Sequence, residues 1–190
     1  MKALRPLHNH VVAALVLVFC AMLAFARPVG AQTAALDDLF AELKESDAQG
    51  ASRIEREIWN EWSKSGSPAM DLLLQRGRDA MESGDAAAAI EHFTALTDHA
   101  PDFAEGWNAR ATAYFTVGEL GPSVNDIART LTLNPRHFGA LSGLGMIFEQ
   151  LEQPEKALEA YRAALAIHPH LQGVIESIER LEADTAGQDL

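Results

Sequence analysis

The chain has 190 residues, 48% of them apolar, and carries 27 acidic against 15 basic side chains for a net charge of −12. That length suits one domain or one short repeat array, and the excess of acid argues against nucleic acid or an anionic membrane surface as partner. The single cysteine, Cys20, rules out an internal disulfide and argues against a cysteine-built zinc or iron–sulfur centre.

Residues 1–31 read as an export signal. Lys2 and Arg5 form a basic start, Val11 to Ala26 is an uncharged apolar run, and Arg27-Pro28 ends it. Val29-Gly30-Ala31 then places small or compact residues ahead of a cleavage point between Ala31 and Gln32. The alternative is an uncut anchor, although the run is short for a membrane span of about 20 residues. Phe19 stands where a lipid-attachment motif before Cys20 needs a small residue. Cleavage would leave a cysteine-free chain carrying −15, held together by packing alone. The predicted location is exported, periplasmic or secreted, with membrane attachment only if the segment stays uncut.

Over 32–66 two apolar stripes follow at helical spacing. One holds Leu36, Leu39, Phe40 and Leu43, and the other Ile54, Ile58 and Trp62 with Trp59 beside it. They predict a helical hairpin turning at Asp47–Gly50. Its irregular pattern is that of an N-terminal cap.

From here a 34-residue period takes over. Pro101, Pro135 and Pro169 are in step, as are the small residues Gly77, Ala111 and Gly145, and again Ala89, Ser123 and Ala157. Apolar columns at Phe93, Ile127, Tyr161 and at Leu73, Trp107, Leu141 share the period, which marks a stacked repeat. Each unit reads as two helices. Trp107, Ala111 and Tyr114 share a face, Gly118 and Gly121 punctuate, and Pro122 opens the second helix, which Pro135 closes. The small columns let paired helices approach closely. Ser67-Pro68 and Gly84-Asp85 read as helix starts, Pro154 opens the last second helix, and Asp102 with Glu105 suggests a capping box.

These residues resemble the tetratricopeptide repeat family, whose pattern is Trp-x2-Leu-Gly-x2-Tyr, then Ala-x3-Phe, then Pro. The three lines here begin at Leu73, Trp107 and Leu141, with Ala89-x3-Phe93, Ser123-x3-Ile127 and Ala157-x3-Tyr161 as their second halves. The resemblance implies an all-α, right-handed α-solenoid of three repeats within 67–171, at about 70–103, 104–137 and 138–171. Leu171, Val174, Ile175, Ile178 and Leu181 mark a capping helix over 172–184, followed by a mobile tail at 185–190. Nine helices and no strand result. Arg76 and Arg110 depart from the pattern, which usually has Leu there. The simpler expectation is that both reach out to water. The sharper one gives Arg110 the carboxylate of Asp126.

No constellation points to chemistry. His92, His99, His137, His168 and His170 form no metal-ligating pair with an acid, and His168-Pro169-His170 is no preformed site. Nucleophile elbows and phosphate loops are missing from the sequence. The chain therefore reads as no enzyme, with neither cofactor nor metal. What the resemblance implies instead is a concave surface lined by the first helix of each repeat. In that register Leu74, Arg78, Glu105, Asn108, Thr112, Phe115, Ser142, Met146 and Gln150 form a peptide- or protein-binding groove. Family members that grip chaperone C-termini use Lys and Asn at the positions of Leu74 and Arg78, so that clamp is missing. The expected function is a scaffold or adaptor of the bacterial envelope, its partner a neutral or basic protein or peptide. The alternative is a self-assembling or membrane-complex-docking subunit acting through Trp59 or Trp62 of the hairpin, which leaves a homo-oligomer open.

Overall fold

A computed structural model describes residues 29–188, and the surroundings of side chains from 34 to 184. The export-signal reading falls almost wholly outside the described residues, and Val29–Gln32 form the first turn of a helix. Two compact units divide between Asp38 and Leu39, and everything below concerns the second, from Leu39 onward. Among the described residues there are nine α-helices and no strand. They are α1 (Val29–Glu45), α2 (Ala48–Trp62), α3 (Pro68–Glu82), α4 (Ala86–His99), α5 (Ala104–Thr116), α6 (Leu120–Leu133), α7 (Phe138–Gln150), α8 (Pro154–Ile167) and α9 (Gln172–Gln188). The last helix runs past its expected end at 184, to Gln188.

The pairs α3/α4, α5/α6 and α7/α8 are three copies of one hairpin, and their backbone bonds repeat with the sequence. Asp85 N–H donates to Ala80 O, Glu119 N–H to Tyr114 O and Gln153 N–H to Phe148 O, each at 2.9 Å. These bonds close the first helix of every pair over a residue in the left-handed region. That residue is Gly84 (φ +80°), Gly118 (φ +80°) and, in the third copy, Glu152 (φ +55°). A side chain there is disfavoured, so the third turn carries strain that the first two avoid. Start signals divide. Asp85 caps α4 by accepting Ala88 N–H at 3.0 Å. Asp102 does not cap α5, because the helix starts from Phe103 without a side-chain cap and Glu105 is drawn elsewhere.

Each hairpin closes on its small column. A methyl group at Gly77 would lie 2.6 Å from Phe93 Cδ1, and one at Gly145 would lie 2.5 Å from Tyr161 Cδ1. Aromatic rings of α4 and α8 thus lie flat on bare backbone of α3 and α7. In the middle repeat both partners change size together: Ala111 meets the slimmer Ile127. The second column, Ala89, Ser123 and Ala157, is fully buried, and Ser123 Oγ donates to Ala111 O at 2.8 Å. Three apolar clusters result, centred on Phe93, on Ile127 and on Tyr161, with Val174 and Leu181 of α9 closing the last. This makes α9 the cap that solenoid ends require.

The two unusual arginines part company. Arg76 is exposed to water, as the simpler expectation held. Arg110 is not. Its Nε and Nη2 fork onto Asp126 Oδ2 and Oδ1 at 2.7 and 2.9 Å, and Nη1 donates to Thr97 Oγ1 of α4 at 2.9 Å. The guanidinium also sits over the Trp107 ring at 4.9 Å. The hydrogen bond to Asp126 raises its pKa further and keeps it charged. The charge is kept inside because a carboxylate and two threonines satisfy it there, and it ties the second repeat to the first.

Candidate functional site

The N-terminal hairpin does not cap the end of the stack. Helix α2 lies across the face made by the first helices of the repeats. Its inner stripe of Ala51, Ile54, Ile58 and Trp62 is buried, and a second stripe carries Glu55 and Trp59. Trp62 stacks on His137 at 4.3 Å with the planes 18° apart, and it sits 5.0 Å from the Phe138 ring. Trp59 meets His137 and Phe138 edge-on at 5.4 and 5.6 Å. Its ring fills the notch at Gly139, where a methyl group would be 2.7 Å from Trp59 Cη2. At the C-terminal end of α2, Ser63 Oγ accepts from Arg78 Nη1 and Nη2 at 3.1 Å each. Towards the other end, Glu55 Oε2 lies 3.3 Å from His168 Nε2. With about 1.5 Å of rise per residue, the eight steps from Glu55 to Ser63 span roughly 12 Å. The two tryptophans are therefore not displayed at an end face, which corrects the expectation that they offer a self-assembly surface.

Beneath α2 a polar chain crosses the repeats. Arg78 Nη2 of α3 donates to Glu105 Oε1 of α5 at 2.7 Å. Glu105 Oε2 accepts from Asn108 Nδ2 at 3.3 Å and faces His137 Nε2 at 3.1 Å. His137 Nδ1 accepts the Ala140 N–H at 3.0 Å, capping α7. That bond fixes the ring proton on Nε2, so the imidazole donates to the carboxylate while neutral. His168 is arranged alike, with Nδ1 accepting the His170 N–H at 3.2 Å. Its Nε2 stands 3.3 Å from Glu55 Oε2 without the alignment of a full hydrogen bond, so the contact is a bent, weak N–H···O approach. The imidazole still holds the Glu55 carboxyl below its ordinary range, against the opposing effect of burial.

Beside α2 the concave face stays open. A cavity of about 850 Å³ lies between α2, α7 and α9. Trp59, Phe115, Phe138, Met146, Leu171 and Val174 supply its apolar walls. Ser142, Gln150, His170 and Ser177 add polar edges. The charged groups are Glu55, Glu149 and Arg180. Arg180 Nη2 is already paired with Glu149 Oε2 at 2.6 Å, and Tyr161 Oη donates to Glu149 Oε1 at 2.6 Å. Burial and that same carboxylate push the Tyr161 phenol well above its ordinary range, so it remains a donor. The cavity is left with one carboxylate, Glu55, unmatched by a cation on its own wall.

The predicted groove residues fall into two groups. Phe115, Ser142, Met146 and Gln150 line this cavity, with Met146 49% exposed. Leu74 does not, being 2% exposed and packed with Ala109 and Ala113 of α5 as part of the first core. Glu105 is 3% exposed, and its oxygens are taken by Arg78, Asn108 and His137. Arg78 and Asn108 are accordingly committed within the fold. Thr112 is exposed, but it returns its hydroxyl to Asn108 O at 3.1 Å and stands outside the cavity. Leu74, Arg78, Glu105 and Asn108 are thus spent on packing and on the chain beneath α2. Repeat register alone missed Trp59 of α2, Leu171 at the very end of the third repeat, and Val174 and Arg180 of α9. The breadth of the apolar arc on α2, spanning Ile54, Ile58, Trp59 and Trp62, was the available signal that this helix is covered on two sides.

Helix pairs repeating every 34 residues around a concave face define a helical-repeat solenoid. Tetratricopeptide repeat models match residues 74–121 and 139–171. A TPR repeat-containing protein of Rhizobium etli is 39% identical over 153 residues, covering 80% of this chain and 75% of that protein. The chain belongs to the tetratricopeptide repeat family. Small glutamine-rich tetratricopeptide repeat-containing protein 2 of Saccharomyces cerevisiae is 31% identical over 117 residues, which are 62% of this chain but 34% of that protein. Among solved structures, the Sgt2 TPR domain of Aspergillus fumigatus has a TM-score of 0.61 at 22% identity, covering 65% of this chain and 83% of that one. The first TPR of Spaghetti (RPAP3), bound to an HSP90 peptide, has a TM-score of 0.59 at 22% identity, covering 62% and 93%. MamA has a TM-score of 0.59 at 23% identity, covering 78% and 85%. At these identities the structural likenesses speak for the fold alone.

Proposed function

We propose that this protein is a non-catalytic interaction module of the bacterial envelope that holds a segment of another protein in the cavity between α2, α7 and α9. The observation that carries this reading is the cavity itself, with about 850 Å³ of open space on the concave face. Concave apolar sites with a few polar groups are where ligands bind. The reading is supported by a solved relative of the same fold that is bound to an HSP90 peptide. The export-signal pattern of residues 1–31 supports the envelope assignment.

The wall chemistry selects the segment. Trp59, Phe115, Phe138 and Met146 take an apolar anchor, and Glu55 attracts a neighbouring basic side chain. Ser142 and Gln150 stand at the edge to hydrogen-bond its backbone. An acidic C-terminus is disfavoured, because Arg180 is bound to Glu149 and Arg78 to Glu105.

The test is capture from envelope fractions by the wild-type protein and by Met146→Lys, which removes an exposed anchor contact and reverses the local attraction. A defined protein retained by wild type and lost by the variant supports the reading. Retention by both removes the cavity as the site.

A further inference from the structure

We propose that the face of α3, α5 and α7 now covered by α2 is itself a helix-binding surface, that α2 is its intramolecular occupant, and that a partner helix of the same chemistry displaces α2. The chemistry is read from what is seated there. It is an amphipathic helix with two aromatic residues three apart, Trp59 and Trp62, and an acid one turn before the first, Glu55.

The polar groups of the surface are paired without its occupant. Glu105 is satisfied by Arg78, Asn108 and His137, and His137 by Ala140, all within the repeats. What α2 adds is apolar cover: Trp59 and Trp62 bury Phe138 and His137, and the Trp59 ring enters the notch at Gly139. A helix seated through aromatic anchors on a face whose polar groups are already paired has the arrangement of a helix in a binding groove. One end of it is also held imperfectly, since buried His168 Nε2 faces Glu55 without the alignment of a full hydrogen bond. Such a poorly met group favours exchange for a better-aligned acid. Residues 63–67 join α2 to α3, and Ser65 among them is tied to Asp71 of α3 through its N–H at 2.8 Å and its hydroxyl at 2.6 Å, so displacement of α2 hinges before Ser65. This surface shares Phe138 and Gly139 with the open cavity, and α2 supplies the cavity's Glu55 and Trp59, so displacing α2 also opens the cavity, while the peptide titration below reads the covered surface by itself.

The probe is a synthetic peptide of residues 47–64 carrying a fluorophore, titrated by anisotropy against the full chain. In the wild type α2 competes. In Trp59→Ala/Trp62→Ala its anchors are gone, and the peptide should bind at least about tenfold more tightly, because apparent affinity scales with the vacant fraction. Adding Gly139→Leu fills the notch and should abolish that gain. Equal binding by wild type and double variant, or loss of cooperative unfolding in α3 to α9 of the double variant, would make α2 a fixed part of the fold and overturn the proposal. A second measurement needs no variant. With unlabelled peptide in excess, hydrogen exchange should speed up in α2 of the wild-type chain and stay unchanged in α3 to α9. Unchanged exchange in α2 would likewise overturn it.

Discussion

Removing the carboxylate of Asp126 tests how the two helices of the second repeat are joined. Arg110 and Asp126 are 13% and 7% exposed at their side chains, and two parallel bonds of 2.7 and 2.9 Å link them. Asp126→Ala leaves the guanidinium inside, held by Thr97 and Thr94 and resting on the Trp107 ring. Breaking a buried pair by deleting one partner costs about 3–5 kcal/mol. The remaining threonine bonds and ring contact place this case near the lower end, at about 3 kcal/mol. For a chain of this size that is a fall in melting temperature of roughly 6–12 °C. Urea unfolding followed by circular dichroism reads the loss directly. Replacing both partners by apolar residues, Arg110→Met with Asp126→Leu, should recover most of it, since desolvation is no longer opposed by nothing. A loss below about 1 kcal/mol in Asp126→Ala would refute the reasoning. It would mean that Arg110 reaches water, and that this ion pair does not tie α5 to α6.

Three further predictions follow from the same packing. Gly145→Ala drives a methyl group into a Tyr161 ring that Glu149 holds in place, so it should cost about 1–3 kcal/mol in urea melts, and no loss would show that the ring can move. Glu152→Gly relieves the left-handed turn that its 34-residue counterparts meet with glycine, and calorimetry should show a gain of about 1 kcal/mol. Glu55 is held below its ordinary value of 4.5 by His168, so the unfolded chain takes up its proton first as pH falls. Its contribution is present above that value and is lost as pH falls through the lowered one. The gap in urea midpoint between wild type and Glu55→Gln should therefore shrink as the pH falls below 4.5, and a constant gap would deny the His168 contact.

The repeats were legible because their packing forces a period on the sequence. A glycine that must lie under a ring, as Gly77 under Phe93, recurs wherever the same two helices meet, and the turn that closes them recurs with it. Arg110 was legible only in part. A charge on a packed face announces the need for a partner, yet the threonines that complete its shell sit one repeat away, outside any local pattern. Glu152 was missed because its position is set by the period and its residue type gives no warning. The groove was half legible. Repeat register brings Phe115, Ser142, Met146 and Gln150 together, and the structure places them on the wall of one cavity. It fails for Leu74 and Glu105, where neighbouring helices take up the same positions. The position of α2 across the face depends on Trp59 meeting Gly139, a contact between residues eighty apart that no spacing rule reports.

The measurement that tests the central claim most directly is selection of a displayed random-peptide library on the wild-type chain, with the enriched peptides titrated against Met146→Lys. The account predicts enriched sequences that share an apolar anchor beside a basic residue, and affinities for the variant at least about tenfold weaker. Enriched peptides that bind Met146→Lys as tightly as wild type would contradict it and place recognition outside the cavity between α2, α7 and α9.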